Sequence, residues 1–94
     1  MKDLNKYRKE IDKVDSKIIK LYEKRMSIVK NITNYKIINN IPVLDSSRES
    51  KMLDKNLNKI KNKDYKKYYE SVLKGYLDAS KKMQEEIIKE NKDY

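Results

Sequence analysis

The sequence contains no Cys and no His. That removes thiolate chemistry, the usual metal ligand and the usual proton shuttle at neutral pH. A metal site would need carboxylates alone, and none of their runs has the spacing of a calcium loop, so no metal is expected. What remains for chemistry is cationic, carboxylate and amide side chains. Of the 24 basic residues only Arg8, Arg25 and Arg48 are Arg. In a chain that otherwise uses Lys, an Arg marks a place that needs a planar fork, the geometry that grips a carboxylate through two parallel hydrogen bonds.

Helical periodicity shows which polar residues stand where apolar ones belong. Leu4, Tyr7, Ile11, Val14, Ile18 and Leu21 lead through Arg25 to Ile28, Ile32 and Tyr35, in alternating steps of three and four. This is a heptad seam, and Arg25 interrupts it. Ser80 and Gln84 interrupt a second stripe one helical turn apart. A charge buried there is costly unless paired. Each break also has a plain structural reading: Arg25 as a register-setting residue, Ser80 as a hydroxyl bonded back to its own helix. Together the three point to one polar pocket inside a helical bundle.

Lys36 follows Arg25 by eleven residues. On a helix that is about three turns, so both side chains point the same way, ~16 Å apart, with room for a small anion between them. Asp45, Arg48 and Glu49 share one face of the next helix, a trio that alone would read as a surface ion pair with a helix cap. Arg8 lies seventeen residues before Arg25, ~25 Å away and turned by about 100°. An antiparallel two-fold partner crossing near residue 19 would set Arg8 of one chain beside residue 30 of the other.

Three helices must carry these residues, an all-α fold with one long, one short and one medium element. The first is predicted from about Leu4 to Ile38 with Asp3 as cap, roughly 50 Å long. Two shorter helices cannot cover its whole seam, so a second copy is expected. Asn39-Asn40-Ile41-Pro42 ends it. The second helix begins near Asp45–Glu49, with Ser46 and Glu49 as a capping box and Met52, Leu53, Leu57 and Ile60 as its apolar face. Asn62-Lys63-Asp64 caps the third, predicted from about Tyr65 to Glu90. Gly75 inside it costs ~1 kcal/mol relative to Ala and leaves room for a close helix contact.

Ninety-four residues fit a single domain, 1–94, able to bury only a modest core by itself. The net charge of +9 invites a nucleic-acid reading. However, Lys is spread along the chain rather than gathered in a stripe, and neither a helix-turn-helix nor a base-stacking platform is recognisable. No apolar run spans a membrane, and MKDLNKYRKE has no signal-peptide character. A cytoplasmic protein without nucleic-acid or membrane partners is expected.

Tyr7-Arg8-Lys9-Glu10-Ile11-Asp12, Glu23-Lys24-Arg25-Met26, Tyr35-Lys36, Asn40 to Asp45, Arg48-Glu49, Asp78-Ala79-Ser80 and Gln84 form an ordered set that resembles the all-helical chorismate mutases over nearly the whole chain. The resemblance implies an intertwined homodimer with two identical sites, each taking one arginine from the partner. It implies a substrate pocket of Arg8 (from the partner), Arg25, Lys36, Asp45, Arg48, Glu49, Ser80 and Gln84, walled by Ile32 and Leu77. It also implies the rearrangement of chorismate to prephenate in phenylalanine and tyrosine biosynthesis, without a cofactor. Arg8 and Arg25 would hold the carboxylates, supported by Arg48 and Ser80. Lys36 and Gln84 would donate to the ether oxygen, and Glu49 would accept from the ring hydroxyl, with Asp45 near it or capping the second helix. A partner enzyme of the aromatic pathway fits such a domain. The rivals are an isochorismate pyruvate lyase of the same fold, a basic helical nucleic-acid-binding module and a purely structural coiled coil.

Overall fold

The computed structural model describes residues 2–92. It contains three helices: α1 (Lys2–Ile38, 37 residues), α2 (Ser46–Leu57, 12 residues) and α3 (Lys63–Lys92, 30 residues). No described helix is long and apolar enough to cross a membrane. α3 packs on α1 and on α2, while α1 and α2 do not pack on each other. The chain extends 59 × 26 × 15 Å, with a radius of gyration of 17.1 Å. A compact domain of this length has a radius near 12 Å, so the shape is set by α1 reaching far past its neighbours.

The caps differ in part from the expected ones. α1 already includes Lys2, so Asp3 lies in its first turn instead of capping it. A carboxylate in that turn still faces the positive end of the helix. At the other end the stop comes before Pro42. Asn40 adopts the left-handed region (φ 56°). Ile41 N–H donates to Lys36 O at 2.8 Å and Asn40 N–H to Ile37 O at 3.3 Å. This is the paired closure that glycine usually provides, here made by Asn.

Asp45, not Ser46, caps α2: its Oδ1 accepts from Arg48 N–H at 3.0 Å. The expected Ser46–Glu49 capping box is absent because Asp45 is the residue with extended backbone (φ −139°, ψ 92°) and Ser46 is already helical. α2 ends at Leu57, so Ile60 falls in the following turn, its N–H donating to Leu57 O at 3.3 Å. Asn62 Oδ1 accepts from Asp64 N–H at 3.0 Å and opens α3, two residues earlier than predicted.

The chain buries very little. Leu73 is the buried apolar residue among those described, joined by Thr33 and Ser80. The part of α1 that meets α3 is the strip Arg25, Met26, Val29, Thr33, Lys36 and Ile37, all at least half-covered. The heptad seam points elsewhere: Leu4, Tyr7, Ile11, Val14, Ile18, Leu21, Ile28, Ile32 and Tyr35 remain 45–66 % exposed. Every residue from 3 to 24 is exposed.

Gly75 makes no close helix contact. A Cβ built there meets nothing within 4 Å. Gly75→Ala should therefore raise stability by about 1 kcal/mol through helix propensity alone, seen as a higher midpoint in thermal denaturation; a lower midpoint would mean that the position is packed in solution.

Candidate active site

The broken stripes converge. Arg25 reaches from α1 to α3, where its Nη1 donates to Ser80 Oγ at 2.7 Å. Its guanidinium also lies over the Tyr76 ring, 5.7 Å from the centroid, a favourable cation–π placement. Ser80 is buried, and its hydroxyl faces Met26 Sδ at 4.0 Å. It is not bonded back to its own helix. That role falls to Thr33, whose Oγ1 donates to Val29 O at 2.8 Å.

Lys36 stands in the last turn of α1. Its backbone carbonyl takes part in the closure at Asn40, and its Nζ donates to Val43 O at 3.2 Å. The turn through Pro42 thus folds back over the ammonium and holds it at the mouth of the α1–α3 groove. Asp45 then starts α2 and sets the direction in which Arg48 and Glu49 project.

Seven of the eight expected residues line one cavity of about 420 Å³: Arg25, Lys36, Asp45, Arg48, Glu49, Ser80 and Gln84. Ile32 and Leu77 supply apolar wall, as expected, together with Val29, Val43 and Met52. Arg8 is not brought to it. It is exposed on α1, ~25 Å along the same helix from Arg25. The cavity combines four cations (Arg25, Lys36, Arg48 and Lys81) and two carboxylates with one hydroxyl and one amide on an apolar floor, a net positive lining suited to a small organic anion.

A profile of the family described as chorismate mutase type II matches residues 7–85. The chain belongs to that family. Relatives include a protein named bifunctional chorismate mutase/prephenate dehydratase from Buchnera aphidicola subsp. Schizaphis graminum. It is 44% identical over 62 residues, 64% of this chain and 16% of the relative. The protein of the same name from Buchnera aphidicola subsp. Baizongia pistaciae is 39% identical over 85 residues, 88% of this chain and 23% of the relative. The chain therefore spans less than a quarter of the length of these curated relatives. No solved structure gives a significant match.

Family membership agrees with the three-helix order. It does not account for Lys81, which also lines the cavity and pairs with Glu49, Nζ to Oε2 at 3.0 Å. The sequence pattern did not single it out. The signal was its place next to Ser80 and one turn before Gln84. The hydrogen bond and charge of Glu49 raise the Lys81 pKa above its usual 10.5, with Asp78 and Glu85 adding to the effect against a small opposing cost of burial. Its ammonium is therefore charged throughout the neutral range.

The Asp45 carboxylate has a structural task whatever it does for a ligand. Asp45→Ala should cost about 1 kcal/mol of stability and Asp45→Asn much less, since Asn caps equally well. Chemical denaturation of both variants measures this, and equal losses would remove the capping role.

Proposed function

We propose that this chain is a chorismate mutase domain spanning residues 1–94, converting chorismate to prephenate by an intramolecular [3,3] shift in phenylalanine and tyrosine biosynthesis. The observation that carries the reading is the single cavity that gathers Arg25, Lys36, Arg48, Glu49, Ser80 and Gln84, in a chain of the chorismate mutase type II family. The reaction needs no nucleophile, base or cofactor, which suits a sequence without His or Cys.

Chorismate is a dianion whose enolpyruvyl arm must be held compactly over the ring. Arg25, already oriented by Ser80, takes one carboxylate, with Arg48 beside it. Lys36 and Gln84 donate to the ether oxygen, where negative charge grows as the C–O bond breaks. Glu49 accepts from the ring hydroxyl. A ~10⁶-fold acceleration requires about 8 kcal/mol. Two preorganised donors at roughly 3–4 kcal/mol each, plus conformational restraint, reach that figure.

The site is completed by a second copy. The exposed seam of α1 and the uncovered residues 3–24 support a homodimer in which antiparallel α1 helices cross near residue 19 and Arg8 enters the partner's cavity. Three positive charges from arginine then meet the dianion. A cytoplasmic setting fits a biosynthetic domain. The dehydratase named in the relatives makes a prephenate-consuming enzyme the partner to expect.

The decisive test is incubation of the pure protein with chorismate and identification of the product. Prephenate is expected, and release of pyruvate from isochorismate instead would move the reading to a lyase. Lys36→Ala should lower kcat by roughly two to three orders of magnitude; a near-normal rate would remove Lys36 from the ether oxygen. Inactive Arg8→Ala and Lys36→Ala chains should regain activity in mixed dimers, which contain one intact site. Confirmed mixed dimers without recovery would sink the shared-site geometry. With Gln84 neutral, activity should stay level between pH 6 and 8, and a steep fall across that range would contradict its assignment.

A further inference from the structure

Among the described residues Glu49–Lys81 is the ion pair that joins two different helices.

 The other ion pair, Glu70–Lys74, lies within α3. The bridging pair sits at the cavity, with Glu49 on α2 more covered than Lys81 on α3 (22% against 43% side-chain exposure). The carboxylate therefore lies inward and the ammonium toward the rim.

Two carboxylates line the cavity, Asp45 and Glu49. Asp45 is engaged by the first turn of α2, which leaves Glu49 as the acceptor available to a ligand. An unbalanced carboxylate would repel a dianion and would be free to rotate. Lys81 counters both effects, because it holds Oε2 and leaves Oε1 to accept.

We propose that Lys81 is a positioning residue of this site: by gripping Glu49 Oε2 from α3, it fixes the carboxylate as the acceptor for the substrate's ring hydroxyl and offsets its charge toward a dianionic substrate. The inference rests on the mutase reading of the cavity. Arg25 and Lys36 from α1, Asp45 at the start of α2, Arg48 from α2, and Asp78 and Glu85 from α3 are other charges near the pair.

The test is a double-mutant cycle in the full chain, with Lys81→Met, Glu49→Gln and both together. Lys81→Met should raise KM roughly two- to fivefold, the range of a partly exposed ion pair, with kcat little changed because the hydroxyl contact is the same in ground and transition states. Lys81→Arg should restore KM, and Lys81→Met should add nothing once Glu49 is Gln. An undiminished loss in the Glu49→Gln background would overturn the proposal, since Lys81 would then act without Glu49. An unchanged KM in Lys81→Met would overturn it too. A second readout needs no turnover: the NMR titration of the Lys81 side chain should move down toward 10.5 in Glu49→Gln. If chorismate is not turned over, the mutase reading falls while this titration still decides whether the pair exists; an unmoved titration breaks the pair itself.

Discussion

The hydrogen bond from Arg25 to Ser80 ties the long helix to α3 at the point where the cavity begins. Most else in the site follows from it. A guanidinium with its charge inside a helical groove is tolerable only when its donors are occupied. Ser80 takes one of them, and the cation also lies over the Tyr76 ring. Arg25 also lines the cavity, so the same group that joins two helices is held in place where an anion would meet it. Preorganisation of this kind costs nothing at the moment of binding.

A second constraint is the length of α1. Its residues 3–24 all stay exposed, although Ile18, Leu21 and Tyr22 edge a groove shared with α2 and α3. A lone helix of that length, with an apolar seam facing water, gains little from its own hydrogen bonds. The proposed dimer solves the burial problem and the missing arginine together. The exposed surface is also the one that carries Arg8, so in the proposed dimer folding and site completion would become one event. In that dimer, a small domain that buries so few of its own residues would draw much of its stability from its second copy.

The short link between α1 and α2 has a similar double use. Asn40 ends α1 in a left-handed conformation, Pro42 keeps the chain extended, and Asp45 starts α2. The turn also supplies the carbonyl of Val43 that holds Lys36. Loop chemistry here is site chemistry, because the cation is anchored by the backbone that redirects the chain.

Much of this was legible in the sequence. Alternating steps of three and four give the helices, since burial of one stripe is a property of residue order. Arg25, Ser80 and Gln84 were visible because each breaks such a stripe. The cap of α2 was open between two neighbours: Asp45 and Ser46 are both good caps, and only the backbone angles choose Asp45. Thr33 was missed because it lies on the strip that faces α3, a quarter-turn away from the dominant seam. Lys81 was missed because a lysine among many carries no signal until its partner is known, and that partner comes from another helix. Residue order determines what each helix can bury; which faces meet, and hence which charges become neighbours, is decided only when the helices pack.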